Sequence, residues 1–326
     1  MRELIKLLPR LGAGVSKDVF PLYGPFLHSD GQKVVTCNDE VYIETNIQLP
    51  FIGSVNFFVL DKLLKSTSEK LNIQKQESSQ LSFVDGSLSS NLSMLEMEYP
   101  SFKKPDIKMV EVTGKLYNSL LLSTKFLGSG IYSNICVDAG VIISTDTSKI
   151  FFSVEDLVLS ERMSLNSKIV SFLKVGDKIG THNNNVVVEF EGGFGIFTSE
   201  DISRYPVTKI MSFIDKSKSS LKKICSINVV KEECAKLSHI FFGELIQEIE
   251  FSNEDYSLVM SAESVVNGKS QTKVKSDLQD KFSIKLDYSY LSHIPSSYLM
   301  YRGDVDDKLL FKHEKDDSII VLMQRR

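Results

Sequence analysis

Five histidines, His28, His182, His239, His293 and His313, are the residues best suited to ligate a metal or move a proton, yet none stands in an HxH or HExxH spacing. The four cysteines, Cys37, Cys136, Cys225 and Cys234, lie far apart, with no CxxC pair and no histidine at ligand spacing. That pattern excludes a zinc ribbon and a disulfide framework and leaves buried free thiols as the expectation. The carboxylates Asp304, Asp306 and Asp307 read as an exposed turn, with a weak cation site as the alternative. GAGVSK (12–17) lacks the spacing of a phosphate-cradling loop and follows a helix pattern where such loops follow a strand. EGGFGIF (191–197) carries its glycines inside a strand pattern, the mark of a bulge or tight hairpin. No catalytic constellation, no metal and no cofactor is therefore expected.

The elements that would position any site are short. Alternating apolar and polar residues in KVVTCNDEVYIET (33–45), VVVEFEG (186–192), EIEFSNEDYSLVMSA (248–262) and DKLLFKHEKDDSIIVLM (307–323), with Asp, Asn and Gly at the turns, point to antiparallel sheet. Helical windows recur in pairs: ELIKLLPRL and FFVLDKLLKSTSEK, GKLYNSLLLSTKFL and LNSKIVSFLK, VVKEECAKLSHIFF and LDYSYLSHI. Their apolar residues fall three or four apart, as one buried helix face requires. The first members begin near residues 3, 114 and 229, roughly a third of the 326-residue chain apart, so three similar units exhaust the sequence. A Tyr-Pro pair supports this period, closing the first unit at Tyr99-Pro100 and the second at Tyr205-Pro206. Lys-, Ser- and Pro-rich linkers, SFKKPDIK and DKSKSSLKK, set the expected domains at 1–110, 111–217 and 218–326.

Hydrophobic residues make up 42% and charged residues 25%, enough for sizeable cores under a solvated surface. Charges at Arg2, Glu3, Lys6 and Arg10 break any signal-peptide core and no later run approaches a membrane span, so a cytoplasmic protein without membrane contact is expected. Lys plus Arg total 38 against 42 Asp plus Glu, a net charge of −4 that argues against nucleic-acid binding only if the charge is evenly spread.

In order and pattern the chain resembles, over essentially its full length, the bacterial beta sliding clamp, the DNA polymerase III beta subunit family. The carriers are FPLYGPFLHSDGQKVVTCNDEVYIET, NFFVLDKLLKSTSEK and DGSLSSNLSMLEMEYPSFKKPD in the first unit, GVIISTDTSKIFF in the second and the C-terminal IVLMQRR in the third. Departures are Thr147 for the family's turn glycine, Lys149 for its arginine, Met323 for its tail proline and Arg326 for its apolar last residue. They suggest a divergent member, with a phage-encoded one as the reading of its origin.

The resemblance implies an α+β clamp fold: three repeated domains, each with antiparallel sheets outside and two helices lining a pore. It implies a non-enzymatic processivity factor that encircles duplex DNA as a head-to-tail homodimer ring. Through short peptides it would tether a DNA polymerase and a clamp loader, in the cytoplasm of a bacterial cell or phage-infected host. Such a pore needs diffuse positive charge. Lys6, Arg10, Lys62, Lys65, Lys70, Lys115, Lys125, Lys168, Lys174, Lys231 and Lys236 on the helical segments, and Lys17 beyond the first, are the expected DNA-facing residues. For any one of them, a merely solvated lysine is the simpler reading. Acidic residues such as Glu189, Glu191, Glu248, Glu250, Glu254 and Asp255 fall in strands or turns expected to face outward. The implied peptide cleft comprises Thr145, Lys149, Ile150, Pro206, Ile210, Met211, Leu245, Ile320, Leu322 and Met323, and ring closure would bring Leu92 and Met94 against Ile240 and Phe241. Weaker closure that needs a loader is one alternative, and a β-rich structural or interaction protein, with no need of lysine-bearing helix pairs, is another.

Overall fold

The computed structural model describes residues 2–17, 22–66, 72–76, 79–86, 88–159, 161–218, 220–244, 247–303 and 308–324. In chain order these form α1 (Arg2–Leu11), β1 (Phe26–Asp30), β2 (Val34–Cys37), β3 (Val41–Thr45), β4 (Ile52–Asn56), α2 (Phe57–Ser66), β5 (Asn72–Gln76), β6 (Gln80–Asp85), β7 (Leu88–Leu95) and β8 (Val110–Glu111). Next come α3 (Gly114–Ser123), β9 (Ile135–Asp138), β10 (Val141–Thr145), β11 (Lys149–Val154), β12 (Met163–Leu165), α4 (Ser167–Phe172), β13 (Lys178–His182), β14 (Asn185–Phe190) and β15 (Gly193–Thr198). The remainder holds α5 (Val207–Lys218), β16 (Lys222–Ser226), α6 (Ile227–Lys236), β17 (Glu248–Glu254), β18 (Ser257–Ser264), β19 (Gly268–Lys275), β20 (Phe282–Asp287), β21 (Tyr298–Arg302), β22 (Lys308–His313) and β23 (Ile319–Met323).

The chain divides into two compact units, Met1–Tyr117 with Leu159–Glu200, and Asn118–Val158 with Asp201–Arg326. In the first, an antiparallel sheet runs β5-β6-β7-β4-β1-β2-β3-β15-β14-β13-β8. Strands of the first and second predicted repeats are thus joined at β3–β15, with Thr45 opposite Gly193 and Val41 opposite Phe197. The β13–β14 turn is made by Asn183 and Asn184, both at positive φ, the conformation a tight hairpin demands. Each helix buries one face: Leu4, Leu8 and Leu11 on α1, and Phe57, Leu60 and Leu64 on α2. Gly14 lies where a Cβ would meet the Thr36 backbone at 2.8 Å, so that glycine serves close packing.

The second unit holds strands in the order β9-β10-β11-β23-β22-β21-β16 and a sheet β19-β18-β17-β20. Here β11 meets β23, joining strands of the second and third predicted repeats, with Ile150 opposite Val321 and Phe152 opposite Ile319. Ile319 to Leu322 are all buried, because β23 is covered on both faces. Helix α6 buries Ile227, Val230 and Cys234 at helical spacing, capped by the Ser226 hydroxyl, which accepts from the Asn228 amide. All four cysteines are free and buried.

Two local expectations change. LDYSYLSHI forms a 3-10 turn over Tyr288–His293 and no α-helix, since its apolar residues are too few to sustain a buried face. The polar segment read as a linker at 215–223 begins inside α5, whose buried Val207, Ile210 and Ile214 hold the helix through Lys218.

Candidate functional site

The basic side chains sort by what they touch. Lys6, Lys17, Lys62, Lys125 and Lys174 are exposed and form no ion pair among the described residues, and Lys115 is exposed at the start of α3. Lys65 pairs with Asp61 at 2.7 Å, Lys168 with Glu40 at 2.8 Å and Lys236 with Glu233. Exposed pairs of this kind hold a lysine weakly. Lys70 lies outside the described residues. Arg10, expected to face DNA, is only 5% exposed. Its guanidinium makes two hydrogen bonds to the Asp177 carboxylate, at 2.8 and 2.9 Å, donates to the Phe172 carbonyl and lies over the rings of Phe172 and Phe190. That charge is spent inside the fold.

Lys149, placed in the cleft by resemblance, contributes instead to a basic cluster in the second unit. It is 7% exposed, with Nζ 3.5 Å from Asp146, 4.7 Å from the Tyr290 ring centroid and 5.7 Å from that of Phe126. The Phe126 ring meets His293 edge-on at 6.3 Å. Burial lowers the His293 pKa, and so do the positive charges of Lys149, Lys125 and Lys231, against the opposing pull of Asp146. Lys231 donates to the Ile294 carbonyl, and burial and Lys125 lower its own pKa. Among the described residues, three lysines and one carboxylate are thus felt at His293, a surplus of positive charge suited to an anion such as phosphate.

The opposite face of the β11–β23 junction is apolar. Ile150, Phe152, Ile319 and Val321 form a core with Tyr205, Val207 and Ile210, and Met211, Met323, Tyr132 and Phe213 are partly exposed against it. Pro206 is half-buried ahead of α5, and Tyr205 meets Tyr132 edge-on at 5.6 Å. Burial pushes the Tyr205 hydroxyl pKa up. A methionine-rimmed apolar surface of this kind adapts to several related side chains. Of the expected cleft residues the structure brings together Ile150, Ile210, Met211 and Met323. Strand alternation turns Lys149, Ile320 and Leu322 to the other face, and Leu245 lies outside the described residues. Sequence reasoning missed Tyr132, Phe152, Ile319, Val321 and Phe213; the Tyr-Pro pair at 205–206 was the one available pointer to this surface.

No protein-family model and no curated protein matches the chain, whereas solved structures do. The DNA polymerase sliding clamp from Bacillus subtilis matches with a TM-score of 0.83 at 14% identity, over 100% of this chain and 97% of that one. A sliding clamp from Pseudomonas aeruginosa matches with a TM-score of 0.83 at 16% identity, over 100% and 98%. The Helicobacter pylori beta clamp, solved bound to a DNA ligase peptide, matches with a TM-score of 0.80 at 13% identity, over 100% and 98%. The chain has the sliding-clamp fold.

The Thr145–Lys149 turn, which has no glycine, is held by side-chain hydrogen bonds. The Thr145 hydroxyl accepts from the Thr147 amide at 3.0 Å and donates to the Lys149 carbonyl at 2.8 Å. Asp146 accepts from the Ser148 and Lys149 amides at 2.9 and 2.8 Å, and Thr147 sits at φ +77°. Three of the four residues expected at a clamp subunit interface are already covered by this chain: Met94, beside Gly53, and Ile240 and Phe241, the latter stacked on Tyr288. Leu92 is half-buried, and the exposed neighbour is Phe242, at 86%. Asp304, Asp306 and Asp307 lie outside the described residues, among which no group of His, Cys, Asp and Glu could hold a metal ion. No helix there is long and apolar enough to cross a membrane.

Proposed function

We propose that this chain is a DNA sliding clamp: a non-enzymatic processivity factor, without cofactor, that encircles duplex DNA and tethers a polymerase and other partners. The observation that carries the reading is the sliding-clamp fold across 100% of the chain. Exposed Lys6, Lys17, Lys62, Lys115, Lys125 and Lys174 and the surplus charge around Lys149 suit a sequence-independent hold on phosphates. The apolar surface of Ile150, Ile210, Met211 and Met323 suits short partner peptides, and the similar H. pylori clamp was solved bound to a DNA ligase peptide. The cytoplasm of a bacterial cell or its phage-infected counterpart is the setting such work requires.

In this reading the chain is three clamp domains, 1–110, 111–217 and 218–326, closed into a ring by a second copy. Repeat logic supplies the joint. The first two junctions, β3–β15 and β11–β23, are antiparallel strand pairs. A third of the same kind would pair β19, which stands at a sheet edge, with β7 of the partner, whose Leu88–Ser93 stretch ladders only to β6 among the described residues. Exposed Phe242 lies beside the β18–β19 turn, where the Asn267 amide donates to its carbonyl at 2.9 Å, so it replaces Phe241 as the expected apolar contact there.

The test combines mass in solution with retention on circular against linearised DNA after loading. A mass twice 36.7 kDa, with loss from linear DNA alone, is expected. A monomer that binds both forms in a salt-sensitive way, or neither, would overturn the ring and favour a structural or interaction protein.

A further inference from the structure

The apolar surface at β11–β23 has a counterpart in the first unit, at β3–β15. Over that junction Val35, Cys37, Tyr42 and Phe194 form a small core with Tyr23, Tyr99 and Ile196 packed against it. Tyr99-Pro100 holds here the place that Tyr205-Pro206 holds in the second unit, and Tyr99 stacks on His28 at 4.6 Å. The cover is incomplete. A cavity of about 240 Å³ opens between Cys37, Tyr42, Pro100, Phe102 and Ile196. Phe102, half exposed, stands edge-on to Tyr42 at 4.9 Å and forms one wall.

The rim is acidic. Asp39 and Glu40 project from the β2–β3 turn, which is held rigid because the Asn38 side chain accepts from the Glu40 and Val41 amides, both at 2.8 Å. Asp39 is exposed and makes no ion pair among the described residues, while Glu40 pairs only with the exposed Lys168. The negative charge is felt inside: burial first, and then Asp39, push the Cys37 thiol pKa up to about 11. A preformed hollow of one-to-two-side-chain size, with an apolar wall of Cys37, Tyr42, Pro100, Phe102 and Ile196, a polar side of Asn38, Asn185 and Thr198, and an unneutralised carboxylate at its mouth, suits a ligand that is apolar and cationic at adjacent positions.

We propose that this cavity is a second docking site, separate from the β11–β23 surface, for an extended peptide that inserts one aromatic or leucine side chain and sets a neighbouring Lys or Arg against Asp39. The site uses the first unit alone, so it stands whether or not the ring reading does.

The probe is a fluorescein-labelled octapeptide, Gly-Ser-Lys-Phe-Leu-Lys-Gly-Ser, titrated against the full-length protein by fluorescence anisotropy. Saturable binding is expected, weakened about tenfold by Asp39→Lys and by replacing both peptide lysines with Glu. Thr198→Trp, an exposed position on the cavity wall, should abolish it, and Met323→Asp should leave it unchanged. Absence of saturable binding to the wild type, indifference to both Asp39→Lys and Thr198→Trp, or loss with Met323→Asp would each overturn the proposal. Unchanged far-ultraviolet circular dichroism and Tm in each variant would tie a loss of binding to the cavity and not to the fold.

Discussion

Two buried cations, Arg10 in the first unit and Lys149 in the second, are equally hidden and opposite in consequence. Arg10 is matched by one carboxylate in a two-bond grip, with a carbonyl and two aromatic faces completing its surroundings. Lys149 has Asp146 only at 3.5 Å and shares its neighbourhood with Lys125, Lys231 and His293. One arrangement is closed and neutral, a device for holding α1 to the turn before β13. The other carries charge in excess and invites an anion. A positive residue on a helix or strand thus says little about DNA until its carboxylate partners are known.

The sharpest test removes the closed pair's cation. Arg10→Met leaves the Asp177 carboxylate buried without its cation, still accepting from the Lys174 amide, and should destabilise the protein by about 3–5 kcal/mol in denaturant unfolding. The double variant Arg10→Met with Asp177→Leu should recover most of that loss. The salt dependence of its DNA binding should equal that of the wild type. A changed salt slope in this folded double variant would return Arg10 to the DNA-facing set.

The open cluster should respond in the other direction. Lys125→Gln is expected to lower the slope of log K against log salt by about one, the signature of one lost phosphate contact. Lys149→Met should lower it less, because that ammonium is buried, yet it should raise the His293 pKa more than Lys125→Gln does, as followed by NMR titration of the ring protons. The sign follows from linkage: a histidine whose folded pKa is depressed contributes stability that is present above its unfolded value, near 6.5, and lost as pH falls through the folded one. Lys149→Met should therefore flatten the acid limb of stability. An unmoved His293 would mean that the Lys149 charge does not act on it.

Much of the architecture was legible because helix faces announce themselves. Leu4, Leu8 and Leu11, or Ile227, Val230 and Cys234, fall on one side at helical spacing, and the tyrosines of the two Tyr-Pro pairs each pack on a cluster over a strand junction, Tyr99 at β3–β15 and Tyr205 at β11–β23. The site was less legible. Ile319 to Met323 is an unbroken apolar run, and a strand buried on both faces gives no alternation to tell Ile319 and Val321 from Ile320 and Leu322. Only its register with β11 decides which side chains join Ile150. Arg10 was misread for a different reason: its partner Asp177 stands 167 residues away, beyond the reach of any local pattern.

The smallest effect concerns the turn that delivers Lys149 to its cluster. Thr147 occupies φ +77°, a region in which a β-branched side chain is strained and glycine is not. The hydrogen bonds of Thr145 and Asp146 hold it there, and its own side chain is exposed, so little packing is lost on removing it. Thr147→Gly should therefore stabilise the fold by about 1 kcal/mol, strain relief outweighing the entropy gained by the unfolded chain. Denaturant unfolding gives the sign, and the His293 pKa should stay where it is because Lys149 keeps its place. Destabilisation instead would mean that Thr147 is a rigid and comfortable part of the turn, and that loosening it frees Lys149 from the cluster that distinguishes it from Arg10.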